Sequence, residues 1–215
     1  VLAQADIRAL PIPDNSVDLI FTDPPYVTEY IWTYEWLANE AMRVLRPGGF
    51  CLAMCGGLHL PKVYSYFEAS GLKYFFDFYQ KSRNDAPTIW KHANGKSLPI
   101  VAKVKPIIAY SKGISLPQLG SVMNMFETSD GWSEAKRFHR WGQDVNTCRY
   151  YIEYFSKRGD LVFDPFIGGG TTLIASELIG RRCVGFDVDF AALQTTQARR
   201  NATEIPTPLE LWKAE

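Results

Sequence analysis

Residues 160–187 decide the fold. They open with Asp160-Leu161-Val162-Phe163-Asp164-Pro165-Phe166-Ile167-Gly168-Gly169-Gly170-Thr171-Thr172 and close with Cys183-Val184-Gly185-Phe186-Asp187. The run 160–163 reads as a short apolar strand and 164–170 as a glycine-rich turn. Residues 171–179 read as a helix closed by Gly180, and 183–186 as a second strand ending in an acid. Two strands joined through a helix lie parallel, because a tight hairpin cannot connect them. Glycines let a turn approach a ligand, and an acid ending the second strand can accept from ribose hydroxyls. Asp187 lies 23 residues beyond Asp164 (187 − 164), the spacing a ribose contact requires. A dinucleotide fingerprint would need glycine at 168, 170 and 173. Position 173 is Leu, which disfavours a pyrophosphate cofactor.

Upstream, Val17-Asp18-Leu19-Ile20-Phe21 is an apolar run stopped by Asp23-Pro24-Pro25-Tyr26, the pattern of a buried strand ending abruptly in a loop. Pro24 and Pro25 remove two amide donors and stiffen that loop. Stiffness would hold the Asp23 carboxylate and the Pro24 carbonyl as two acceptors for the two hydrogens of one amino group. Tyr26 would offer a ring for stacking on a base. Taken alone, the tetrapeptide is as readily a strand-ending turn. Beside the glycine-rich unit it carries more meaning.

The rest of the chain extends the alternation. A helix is expected over 33–45, stopped by Pro47-Gly48-Gly49, then a strand over 50–55, a helix over 61–69 and a strand over 72–79. A further strand is expected at 107–110, a helix from 145 to near Gly159, and another over 190–201. Residues 114–135 show no clear period and read as an inserted loop region. These elements predict an α/β fold with a doubly wound, mostly parallel sheet in a single domain spanning 1–215.

Composition limits the function classes. Hydrophobic residues make up 47% and charged residues 21% of the 215, which excludes a disordered chain. No apolar run approaches the ~18 residues of a membrane span, so no membrane association is expected. The start, Val1 to Asp6, has neither a basic leader nor a long apolar core, so no signal peptide is expected. Without an initiator Met, a trimmed or partial chain is expected. Cys51, Cys55, Cys148 and Cys183 form no CxxC pair and read as reduced, buried thiols of a cytoplasmic protein, with no metal site. Lys+Arg and Asp+Glu are 23 each, and the zero balance alone argues weakly against nucleic-acid binding. The distribution argues otherwise. Residues 86–126 hold no acid but five lysines (91, 96, 103, 105, 112), and Lys136, Arg137 and Arg140 follow, so one face can be basic on a neutral molecule.

The pair of motifs resembles the S-adenosylmethionine-dependent DNA amino-methyltransferases that act on adenine N6 or cytosine N4. Asp23-Pro24-Pro25-Tyr26 resembles their catalytic motif and 164–172 their cofactor motif, in the beta-group order. Residues 36–50, 105–113 and 141–166 resemble further segments of that family, so the similarity covers nearly the whole chain. It implies a Rossmann-like class I methyltransferase sheet of about seven strands, one antiparallel, with circularly permuted motif order. It also implies S-adenosyl-L-methionine at Asp164, Pro165, Phe166, Gly168, Gly170, Thr171, Thr172 and Asp187, with Asp6 near the adenine. Asp23, Pro24, Pro25 and Tyr26 would be catalytic. Asp in the first catalytic position implies adenine N6 before cytosine N4, as in restriction-modification systems. The family's histidine-proline and lysine-proline signature is replaced by Arg140-Trp141-Gly142-Gln143-Asp144. The inserted region 114–140, where target recognition is expected, is short, so a homodimer or a separate specificity partner stays open. DNA is expected along Lys91, Lys96, Lys103, Arg137 and Arg140.

Three rivals remain at this stage: the same chemistry on RNA, an inactive S-adenosylmethionine and nucleic-acid binding module, and a nicotinamide oxidoreductase. Leu173 and the Asp23–Tyr26 motif weigh against the last.

Overall fold

The computed structural model describes residues 1–25, 27–81, 88–91, 97–128, 143–207 and 210–211, with the backbone alone for 88–91 and 97–101. The strands are β1 (Leu2–Gln4), β2 (Val17–Thr22), β3 (Leu45–Met54), β4 (Lys73–Lys81), β5 (Thr88–Lys91), β6 (Ser97–Ala102), β7 (Val104–Ser111), β8 (Met125–Glu127), β9 (Leu161–Asp164) and β10 (Arg182–Asp187). The α-helices are α1 (Trp32–Val44), α2 (Leu60–Ala69), α3 (Val145–Phe155), α4 (Thr171–Leu178) and α5 (Phe190–Ala202).

Eight strands form one sheet in the order β1-β10-β9-β2-β3-β7-β4-β8, and β5 pairs with β6 separately. Within the large sheet only β7 runs antiparallel to its neighbours, β3 and β4. The architecture is therefore the doubly wound, mostly parallel sheet expected from the sequence, with one antiparallel strand and eight strands where about seven were expected.

Period-two alternation explains why the strands are apolar on both faces. In β2, Ile20 enters one core and Leu19 and Phe21 the other, while Val17 joins Ile20 in the first core because the register shifts between Val17 and Leu19. In β3, Cys51 and Ala53 join the first and Phe50, Leu52 and Met54 the second; β7 divides the same way. The first core packs under α1 and α2 through Leu37, Ala41, Val63 and Phe67. The second packs under α3 and α4 through Tyr151, Ile152, Phe155 and Ala175. Helices on both faces are what keep a parallel sheet dry.

The strand order positions the site. From β2 the chain crosses by α1 to β3 on one side, and from β9 it crosses by α4 to β10 on the other. β2 and β9 are neighbours with parallel register Leu19↔Val162 and Ile20↔Phe163. Their carboxyl ends thus flank the point where the crossovers diverge, the place where open α/β sheets leave a crevice.

Several expectations need correction. The first helix ends at Val44, one residue early, because Leu45 already pairs with Val17. β3 then bulges, with Val17↔Leu45 followed by Leu19↔Phe50, so Pro47, Gly48 and Gly49 lie within the strand and not beyond a helix. The strand expected at 107–110 extends to Val104–Ser111. The inserted region 114–140 is not wholly irregular, since Met125–Glu127 adds β8 to the edge, beside Tyr79–Lys81. Its residues 129–140 lie outside the described residues. All four cysteines are buried, and burial pushes the Cys55 thiol up to about 12. Among the described residues no helix is long and apolar enough to cross a membrane.

Candidate active site

Asp23 follows the last residue of β2, and both of its carboxylate oxygens accept hydrogen bonds. Lys105 Nζ, at the start of β7, donates to both oxygens at 2.7 Å. Gln143 Nε2, just before α3, donates to Oδ2 at 2.6 Å. The two charged side chains are only 20% and 14% exposed, so water screens this pair less than a surface pair. Pro24 is buried and Pro25 exposed. The Tyr34 hydroxyl donates to the Met54 carbonyl at 2.8 Å and lies 3.5 Å from the Pro24 carbonyl. A hydroxyl has one proton, so the Pro24 oxygen keeps acceptor capacity. Tyr26 lies outside the described residues.

The glycine-rich turn sits directly beside this loop. Thr22 Oγ1, the last side chain of β2, donates to Asp164 Oδ1 at 2.6 Å, and the Phe166 amide donates to the same oxygen at 3.0 Å. Asp164 is buried, and desolvation raises its carboxyl to about 6 against those hydrogen bonds, with nearby Asp23 adding to the rise. It braces the turn from behind.

Gly170 caps α4 with φ +78°, and an added Cβ would lie 2.5 Å from Thr196 Cγ2, so the position needs glycine twice over. Three side chains brace the turn: Asp187 Oδ2 accepts from the Gly168 amide at 2.9 Å, Thr196 Oγ1 donates to the Gly168 carbonyl at 2.6 Å, and Arg199 Nη1 donates to the Gly169 carbonyl at 2.9 Å. Arg199 also donates to Thr171 Oγ1 at 3.0 Å, and burial lowers its pKa. Pro165 is buried in the turn and Thr172 in the first turn of α4, and Phe166 packs edge-on against Trp36 at 6.1 Å. The helix start leaves its first amides without helical acceptors at the mouth of the turn.

Asp6 reaches the same edge by pairing. β1 lies against β10 with Gln4↔Asp187, and the Ala5 amide donates to the Asp187 carbonyl at 3.1 Å. Asp6 caps the short turn Ile7–Ala9 and bonds Arg8 Nε at 2.9 Å. That hydrogen bond holds its carboxyl well below the usual carboxylate range.

The structure thus brings Asp23, Pro24, Asp164, Gly168, Gly170 and Asp187 to one end of the sheet. Of the expected basic residues, Lys103 is described and exposed. The Lys91 side chain, Lys96, Arg137 and Arg140 lie outside the described residues. Lys105 is corrected: it belonged to the acid-free basic stretch, but it turns inward onto Asp23. Sequence reading missed Lys105, Gln143, Thr196 and Arg199. The one available signal for Gln143 was its place in the segment that departs from the family signature.

Comparison with known proteins agrees with this geometry. A sequence model of the family described as DNA methylase, the N6/N4 group, matches residues 17–198. The chain is similar to the type II methyltransferase M.BamHI of Bacillus amyloliquefaciens, 26% identical over 82% of this chain and 51% of that protein. It is similar to M2.DpnII of Streptococcus pneumoniae, 25% identical over 87% of this chain and 84% of that one. The chain therefore spans about half the length of M.BamHI. Among solved structures, the M1.HpyAVI complex with S-adenosylmethionine superposes with TM-score 0.74 at 19% identity, over 93% of this chain and 98% of that one. The cytosine-N4-specific PvuII DNA methyltransferase superposes with TM-score 0.74 at 16% identity, over 92% and 85%. At these identities the superpositions establish the fold.

Proposed function

Because the chain belongs to the N6/N4 DNA methylase family, we propose that it transfers a methyl group from S-adenosyl-L-methionine to an exocyclic amino group of a DNA base, adenine N6 before cytosine N4. The observation that carries this reading is the Thr22–Asp164 hydrogen bond at 2.6 Å, which sets the Asp23–Pro24 acceptors beside the glycine-rich turn. A methyl donor in that turn and an amine at Asp23 would then be neighbours.

The turn suits an adenosyl ligand. Glycine at 168 leaves the backbone there partly exposed, and each Asp187 oxygen accepts one amide, from Gly168 and Asp189, so lone pairs remain for a ribose diol. When bound, S-adenosylmethionine supplies an electrophilic methyl on a sulfonium. The rest falls to the chain. Asp23 and the Pro24 carbonyl receive the two amine hydrogens and favour the sp³ nitrogen, whose lone pair is otherwise delocalised into the ring. Asp23 need not be a strong base, since the nitrogen turns acidic only as the new bond forms. No cysteine attacks the base in this scheme, and all four are buried. The base must leave the duplex stack, at a few kcal/mol, and Tyr26 stacking at roughly 1–3 kcal/mol offsets much of that.

Adenine is favoured by the Asp in the first catalytic position. Cytosine N4 is kept as the second reading because the PvuII enzyme, a structural neighbour, is cytosine-N4-specific. The test incubates the protein with labelled S-adenosylmethionine and unmethylated DNA or RNA, then identifies the modified nucleoside after digestion. N6-methyladenine in DNA is expected. N4-methylcytosine alone would reverse the choice of base, label only in RNA would reverse the polymer, and no transfer would leave a binding module.

A further inference from the structure

The function proposed above needs Asp23 as an orienting acceptor, and the structure limits how it can act. A carboxylate offers about four lone-pair positions. Among the described residues Lys105 takes one on each oxygen and Gln143 takes a second on Oδ2. One position is left, on Oδ1. The three bonds, at 2.6–2.7 Å, come from two elements far apart in sequence, 82 and 120 residues from Asp23. Three-point fixation prevents the carboxylate from rotating, which solvent-exposed Asp side chains do freely.

We propose that Lys105 and Gln143 are positioning residues for methyl transfer: they clamp the Asp23 carboxylate so that the remaining Oδ1 lone pair faces the target amine. The clamp also explains why a lysine in a basic stretch turns inward. Lys105 sits at the start of β7, where the antiparallel strand brings it to the carboxyl ends of β2 and β3: Cys55, one residue beyond β3, donates its amide to the Pro106 carbonyl at 3.0 Å. A parallel strand in that slot would present its other end to this edge. Gln143 ties the clamp to the cofactor turn, since its own carbonyl accepts from Thr171 Oγ1 at 3.4 Å and Arg199 holds that same hydroxyl.

The inference rests on the methyltransferase reading, and the experiment separates the two. Wild type, Lys105→Met, Lys105→Arg and Gln143→Leu are assayed for transfer to unmethylated DNA, with kcat, KM for DNA and its salt dependence measured for each. A misplaced acceptor should lower kcat by about 10–10²-fold in Lys105→Met, with KM and the salt slope nearly unchanged. Lys105→Arg, which can still donate to both oxygens, should recover much of the loss. An effect on KM with a shallower salt slope would make Lys105 a phosphate contact and overturn the clamp. An unchanged kcat would overturn it equally. A double-mutant cycle on denaturant unfolding, pairing Asp23→Asn with Lys105→Met, gives a readout free of catalysis. The two changes should be non-additive by about tenfold in the unfolding constant, and additivity would refute the clamp. If the wild type transfers no methyl at all, the proposed function falls while the cycle still decides the pair.

Discussion

Asp164 is a buried acid whose proton equilibrium can be worked through to a stability curve. Its carboxyl titrates near pH 6 in the folded protein against an ordinary 3.8, chiefly because burial disfavours the anion. Between those values the folded state holds more protons than the unfolded state. Stability therefore falls as the pH rises through about 4 to 6, and the cost is fully present at neutral pH. At 1.36 kcal/mol per unit, the shift of about two units corresponds to about 3 kcal/mol. Asp164→Asn removes the charge but keeps an oxygen for the Thr22 hydroxyl and the Phe166 amide. The variant should gain on wild type as the pH rises from 4 to 6, by about 3 kcal/mol, and the difference should then plateau. Urea unfolding of both proteins at half-unit pH intervals, without cofactor, measures it. Any fixed offset from altered hydrogen bonding drops out, because only the pH dependence is read. A difference that stays flat, or slopes the other way, would refute the claim that desolvation governs this acid.

Other consequences follow from the same site. Asp23→Ala should lower kcat by at least the ~10²–10³ of one lost preorganised group while S-adenosylmethionine affinity, read by calorimetry, changes little. Thermal melts control for the loss of the Lys105 partner. Asp187→Ala should weaken S-adenosylmethionine binding by about 1.5–3 kcal/mol, through the lost ribose acceptor and the freed Gly168 amide. Gly170→Ala should cost about 1–3 kcal/mol of stability from its φ alone, and Thr196→Ala in the same chain should relieve only the steric part. Charge reversal at Lys91, Lys96 and Lys103 together should weaken DNA binding in filter assays more than reversal at Arg43 and Arg46, which are already paired with Glu40, Asp14 and Asp18.

Much of this protein was determined by local sequence. The runs at 17–22 and 161–164 are short, apolar on both faces and cut off by acid and proline or glycine, and such patterns specify buried strands wherever they fall. The helix spacing of Leu37, Ala41 and Val44 is equally local. The glycine-rich turn and the paired prolines declare their own backbone chemistry, so the two motifs were legible without any partner.

What only the tertiary structure decided depends on long-range pairing. β1 is three residues of modest β character and exists because β10, some 180 residues away, offers it an edge. β8 likewise exists against β4. Asp6 gains its place beside Asp187 through that first pairing. Lys105 is the clearest case. Its composition and neighbours read as a solvated base on a basic stretch, and nothing within several residues distinguishes it. A lysine's long stem lets its charge go to water or to an acid, and the choice depends on what the fold puts within reach. Here the reversed direction of β7 puts Asp23 there.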